Sequence, residues 1–180
     1  MKYFLETDRL ILRDIRPSDD AGMFELDSDP DVHKYLRRPV MSIDESRAII
    51  EAVRQQYVDY GIGRWAMVNK LTNEFMGWTG LKFVTESRNN HTQFYDLGYR
   101  IIKRYWGNGY ATESSIASLR YGFEEMKLNE IYGMADMNNL ASRRVLEKAG
   151  LKYMETFQDD GYAAGWYKIN REEWLFNQST

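Results

Sequence analysis

The spacing of apolar and polar residues changes period along the chain, and each change marks an element. Leu10 and Leu12 alternate with Ile11 and Arg13, the two-residue repeat of a strand, and Pro17-Ser18-Asp19-Asp20 then supplies helix-start chemistry. Ser42-Ile43-Asp44-Glu45 reads as a capping box, in which the serine accepts from the third helical amide and the glutamate reaches back. Ala48, Ile49, Ala52, Val53 and Tyr57 follow on one helical face, and Gly61 ends the helix. From Arg64 the period returns to two. Arg64–Val68, a polar turn over Asn69–Asn73, and Phe75–Val84 read as a hairpin. Thr85–Thr92 is a polar loop, and Phe94–Ile102 is the next strand.

After a glycine-containing turn, Ile116, Leu119, Arg120 and Phe123 form the stripe of a helix running from near Ala111 to near Lys127. Glu130–Met137 reads as a strand, and Asn139–Ala149 as a helix closed by Gly150. Leu151–Phe157 and Gly165–Ile169 read as closing strands, and Arg171–Phe176 as a last short helix. Two helices, a run of antiparallel strands, then strand-helix-strand-helix-strand is an α+β plan. No repeat, linker or low-complexity stretch interrupts it, so residues 1–180 are expected to form a single domain.

Composition narrows the chemistry. With 43% hydrophobic and 14% aromatic residues the chain can bury a substantial core, and a net charge of −3 gives no general attraction to nucleic acid or anionic membrane. There is no cysteine, which excludes a disulfide, a thiolate nucleophile and a thiolate-bound metal; His33 and His91 are the only imidazoles and cannot make a three-ligand metal site by themselves. The stretch Met1–Arg9 meets charges before any signal-peptide core, and no run reaches the ~20 apolar residues of a membrane span, so a cytoplasmic location without membrane association is expected. Without a secretory signal, the sequons at Asn90-His91-Thr92 and Asn177-Gln178-Ser179 read as ordinary loop and tail.

The turn Arg104-Tyr105-Trp106-Gly107-Asn108-Gly109-Tyr110-Ala111 lies between a strand and a helix. Helix-initiating amides have no intrahelical acceptor, and glycines let a bulky anion approach them, so Gly107–Ala111 can donate several N–H bonds to a pyrophosphate. Thr112 stands where a dinucleotide fingerprint needs a third glycine, and the Gly-Lys-Ser/Thr of a Walker loop is absent. What fits is Arg/Gln-x-x-Gly-x-Gly/Ala. A second element follows, Asn139-Leu140-Ala141-Ser142-Arg143-Arg144-Val145-Leu146-Glu147-Lys148-Ala149-Gly150-Leu151.

Together with the strand Leu97-Gly98-Tyr99-Arg100-Ile101, these two elements resemble the GNAT acetyltransferases. Within that superfamily the chain is similar to the ribosomal-protein N-acetyltransferase (RimJ/RimL-type) branch, whose members also open with a Thr-x-Arg-Leu-x-Leu-Arg strand like Thr7–Arg13. The resemblance covers nearly the whole chain. It implies a mostly antiparallel mixed sheet, splayed at an acetyl-CoA site and flanked by helices, with acetyl-CoA as cosubstrate and no metal. The acceptor it implies is an amine, on a small molecule or a protein N-terminus.

The same resemblance distributes roles. The backbone of Ile101 and Ile102 would pair with pantetheine, Gly107, Asn108, Gly109, Tyr110 and Ala111 would hold the pyrophosphate, and Lys103 and Arg104 would add charge. From their positions in the chain, Trp106 reads as a core or site-wall aromatic placed to touch ligand, and Arg143 as part of a solvated helix face from which it could reach a CoA phosphate; Asn139 is helix cap and, by the resemblance, pantetheine contact. Many relatives carry a tyrosine seven residues after the asparagine, as the acid for the departing thiolate; this chain has Leu146 there. The branch is similar in using a serine at position 142, one turn away, so Ser142 is the candidate donor to the sulfur.

Asp96 is the closest match to a glutamate base of several relatives, with Glu86 or a water as competitors. A backbone amide near Tyr99–Ile101 is the candidate oxyanion donor. Acceptor choice would lie in Asp20–Tyr60 and Gln158–Tyr167, where Asp27, Asp29, Asp31, Asp159 and Asp160 would draw a cationic amine. A catalytically weak acetyl-CoA-binding or sensing module is the alternative reading, and homodimer formation stays open.

Overall fold

Eight strands form one sheet in the computed structural model, which describes residues 4–179. In chain order the elements are β1 (Phe4–Glu6), β2 (Leu10–Asp14), α1 (Asp20–Ser28), α2 (Ile43–Tyr60), β3 (Trp65–Asn69), β4 (Phe75–Val84) and β5 (Phe94–Ile101). Then come α3 (Tyr110–Arg120), β6 (Glu130–Asp136), α4 (Leu140–Ala149), β7 (Lys152–Asp159), β8 (Tyr162–Asn170) and α5 (Arg171–Gln178). The strand order is β1-β2-β3-β4-β5-β6-β8-β7, antiparallel throughout except where β5 meets β6. Met1–Tyr3, the start of the charged N-terminal stretch, and Thr180 lie outside the described residues.

The expected elements form, with differences at their ends. The α2 start follows the capping chemistry, since Ser42 accepts from the Glu45 amide at 3.2 Å, and Gly61 ends the helix in the left-handed region. The helix after the glycine turn begins at Tyr110 and is α-helical only to Arg120; Tyr121–Glu125 widen into a π turn, with the Met126 amide reaching the Tyr121 carbonyl. The closing hairpin is longer than the hydrophobic runs suggest. Asp160 and Gly161 both take positive φ, the geometry of a tight hairpin turn, so β7 and β8 extend to within one residue of it on each side. β1, absent from the sequence reading, pairs with β2 in register Phe4↔Arg13.

Alternation along β5 sets what each face of the sheet carries. Leu97 and Ile101 join Ala117 and Leu119 of α3 and Leu146 of α4 in the larger core. The opposite face packs Met23 and Leu26 of α1 and Ile50 of α2 over Ala66 and Val68 of β3. Asp96 and Arg100 therefore face α1 and α2, while Tyr99 faces α4.

Candidate active site

β5 and β6 pair only at Asp96↔Tyr132 and Leu97↔Gly133, although β5 stays paired with β4 as far as Ile101. Beyond Leu97 the β6-side edge of β5 has no partner strand, and its peptide groups face an opening between the two arms of the sheet. An extended ligand with amide groups can add there as a strand would. The assigned backbone of Ile101 and Ile102 lies at the end of this edge. The Ile101 carbonyl accepts from the Trp106 indole N–H at 2.8 Å, and the Ile102 amide donates to the Met76 carbonyl at 2.9 Å.

The glycine turn closes the same end. Gly107 and Gly109 have φ of 77° and 80°, a backbone that side chains rarely adopt. A Cβ at Gly107 would meet nothing within 4 Å, and one at Gly109 only an Arg9 guanidinium nitrogen, 3.6 Å away. The space above the turn is therefore open, and no side chain caps the first amides of α3. Asn108 ties the turn from within, donating to the carbonyls of Tyr105 at 3.1 Å and Trp106 at 3.0 Å. Tyr110 and Ala111 begin α3 and pack partly against the core. Such a turn fits a bulky anion bound by backbone amides.

The two basic residues expected to add charge point elsewhere. Lys103 pairs with Asp31, and Arg104 with Glu25 of α1. Arg143 folds back too, donating to the Tyr167 hydroxyl at 3.0 Å and the Met137 carbonyl at 3.2 Å. Arg9 touches the turn, donating to the Asn108 carbonyl at 2.9 Å.

At α4, Asn139 is the N-cap, its side chain accepting from the Ser142 amide at 3.1 Å. The Ser142 hydroxyl lies 3.0 Å from that of Tyr99, which also donates to the Ser142 carbonyl at 2.7 Å. Tyr99 is two residues past the last β5–β6 pair, so this pair of hydroxyls stands in the opening. Burial pushes the Tyr99 phenol well above its ordinary pKa and keeps it protonated. Leu146 is 1% exposed and packs against β6, where a Cβ on Gly133 would come within 2.8 Å of it. Position 146 thus belongs to the core, and the hydroxyl facing Ser142 comes from β5 instead. The Tyr99 side chain was legible only as one of the alternating residues of its strand.

The other face of β5 carries the charges. Asp96 is buried, and Arg64 pairs with its carboxylate while also donating to its carbonyl at 2.6 Å. Burial raises the Asp96 pKa, with Arg64 opposing. Arg100 donates to Asp27 at 2.6 Å, His33 lies 3.3 Å from the same carboxylate oxygen, and the Arg64 and Arg100 guanidiniums both lie over the Trp78 ring, at 5.3 Å and 4.9 Å. Burial and the neighbouring Arg100 lower the His33 pKa and favour neutral imidazole. The segment between α1 and α2 also reaches the far arm of the sheet, where Arg37 pairs with Asp136 at 2.7 Å and covers the Tyr162 ring.

Glu86 is exposed and lies past the Val84↔Phe94 pair, at the end of β5 away from the opening. His91 packs against Trp166 with ring centroids 4.9 Å apart. Of the acidic residues expected to draw a cation, Asp27, Asp31 and Asp159 are paired with Arg100, Lys103 and Arg88. Among the described residues, no group of His, Cys, Asp and Glu is arranged to hold a metal, and no helix is long and apolar enough to cross a membrane.

Against known proteins, residues 9–152 match the acetyltransferase (GNAT) domain. The chain is 36% identical to the Bacillus subtilis protein YkkB over 87% of its own length and 90% of that protein's. It is 33% identical to the FsC-acetyl coenzyme A-N(2)-transacetylase of Aspergillus fumigatus, over 95% of this chain and 77% of that one. The crystal structure of a GNAT-family acetyltransferase from Bacillus anthracis superposes with a TM-score of 0.80 at 26% identity, covering 94% of this chain and 99% of that one. The open glycine turn, the parted strands and these likenesses agree: the chain belongs to the GNAT acetyltransferase family and is an acetyl-CoA-dependent N-acetyltransferase.

Proposed function

We propose that this enzyme, a single domain spanning residues 1–180, transfers the acetyl group of acetyl-CoA directly to a primary amine, without an acyl-enzyme, in the manner of the ribosomal-protein N-acetyltransferase branch. The acceptor is a small amine or a protein N-terminus. The observation that carries the reading is the opening between β5 and β6, with the uncapped amides of the glycine turn at one end and the Tyr99–Ser142 hydroxyls within it. Gly107–Ala111 hold the pyrophosphate, the free edge of β5 pairs with pantetheine, and the thioester comes to rest beside Ser142.

The amine enters from the α1–α2 face. Asp96 takes its proton, and the amine nitrogen attacks the thioester carbonyl while a β5 amide near Tyr99–Ile101 stabilises the oxyanion. The carbon–sulfur bond then breaks, the Ser142 hydroxyl hydrogen-bonds the departing thiolate, and the nitrogen's second proton passes to that sulfur, leaving the amide and CoA thiol. Serine at 142 with leucine at 146 supports the branch assignment. A nitrogen acceptor is in keeping with the N(2)-transacetylase name of the Aspergillus relative.

The test is an acceptor screen with acetyl-CoA, covering peptides with different first residues, polyamines and aminoglycosides, paired with mass measurement of the protein incubated with acetyl-CoA alone. Acetylated amine without acetylated protein is the expected result. A covalent acetyl-enzyme that chases into product would refute direct transfer.

A further inference from the structure

The opening motif Thr7-Asp8-Arg9-Leu10-Ile11-Leu12-Arg13 lies far from the turn in sequence, yet its first half is built onto that turn. Arg9 and Glu113, in the first turn of α3, form a forked pair: the guanidinium Nε and Nη2 approach Glu113 Oε2 at 2.7 Å and 2.6 Å. Oε1 accepts from the Arg9 amide at 3.1 Å and the Thr7 hydroxyl at 2.6 Å. The remaining guanidinium nitrogen, Nη1, donates to the Asn108 carbonyl, and the group lies 4.4 Å over the Tyr110 ring. All six contacts converge on residues 108–113.

Glu113 is the reason such a clamp matters. A carboxylate in the first turn of a helix competes with a bound anion for the same positive end. Burial disfavours its charge, but the hydrogen bonds from Thr7 and Arg9 outweigh that and keep it ionised. Left alone it would repel a pyrophosphate one turn away. Arg9 cancels that charge and pins the carbonyl just before Gly109.

We propose that Arg9 is a positioning residue for the cofactor: through Glu113 and Asn108 it neutralises and fixes the glycine turn, so that the turn's amides are set for phosphate before acetyl-CoA arrives. The proposal rests on the reading of Gly107–Ala111 as the pyrophosphate site. It also explains how the turn keeps a cation beside it when Lys103 and Arg104 are paired with Asp31 and Glu25. Isolated exposed ion pairs contribute little, but a forked pair that also holds two backbone groups and a ring is a network.

The experiment is calorimetric titration of acetyl-CoA into the full chain and its Arg9→Ala, Glu113→Gln, doubly substituted and Gly109→Val variants, with melting temperatures recorded without ligand. Arg9→Ala is expected to weaken binding roughly tenfold, since it both frees the turn and uncovers a carboxylate. Glu113→Gln alone is expected to change it by less than about threefold, and the double variant to bind at least about threefold tighter than Arg9→Ala, because the repulsion is gone. A merely structural arginine predicts no such recovery, since removing Glu113 as well only loosens the turn further. Arg9→Ala binding within about twofold of the parent, or a double variant no tighter than Arg9→Ala, overturns the proposal. If Gly109→Val loses binding while Arg9→Ala keeps it, the proposal alone fails; if Gly109→Val also binds like the parent, the phosphate-turn reading fails and takes the proposal with it.

Discussion

The hydroxyls of Tyr99 and Ser142 lie 3.0 Å apart across the gap between β5 and α4. Ser142→Ala is predicted to lower the turnover rate by roughly 10- to 150-fold with acetyl-CoA affinity unchanged, the size of a lost hydrogen bond of about 1.5–3 kcal/mol to a developing charge. Tyr99→Phe should lower the rate in the parent and have little further effect once Ser142 is alanine, because the two act as one unit. Independent, multiplicative losses would show that Tyr99 does not work through Ser142.

Leu146→Tyr tests why the phenol is on β5. The leucine is fully packed, so the larger ring is predicted to cost about 1–3 kcal/mol of stability, read as a fall in melting temperature. It should restore no activity to Ser142→Ala. Recovery of turnover would mean that position 146 reaches the cleft after all.

Asp96 gives a pH prediction. Burial sets its pKa above the ordinary carboxylate value, and only the ionised form accepts a proton, so the transfer rate should fall as pH drops through that raised value. Asp96→Asn should remove this acidic limb and lower the rate by roughly 10²–10⁴, with cofactor affinity nearly intact. A parent-like profile in the variant would move the role to a water or another group.

Gly107→Val and Gly109→Val should weaken acetyl-CoA binding more than they lower the melting temperature. Each places a branched side chain in the space above the turn, and each strains a backbone held at positive φ, so stability falls as well. Cofactor affinity unchanged in a folded variant would remove the turn from the site.

What the sequence revealed was mostly local. The glycine turn, the Ser42 and Asn139 caps and the strand Phe94–Ile101 follow from spacing and residue type within a few positions. Strand ends placed by hydrophobicity alone stop at Phe157 and Gly165, short of the Asp160-Gly161 hairpin turn on both sides. Long-range pairings were not legible. Arg9 and Glu113 are 104 residues apart, and only the placement of β2 beside α3 joins them. Lys103 and Arg104 carry the charge expected of a phosphate site, yet the path of the backbone before Gly107 turns both toward acidic partners.

Two backbone pairs are all that stitch β5 to β6 along the sheet, so the molecule leaves one strand's worth of bonding unfilled in its middle. Under the proposed function a cosubstrate lying there would complete the sheet, and whatever binds only the folded form raises its apparent stability, by about 2.7 kcal/mol at a hundred times the dissociation constant. Amide hydrogens of Tyr99 and Ile101, on the open edge, and of the first turn of α3 should then exchange slowly when acetyl-CoA is plentiful and faster when it is scarce. The durability of the enzyme becomes a function of its own acetyl supply.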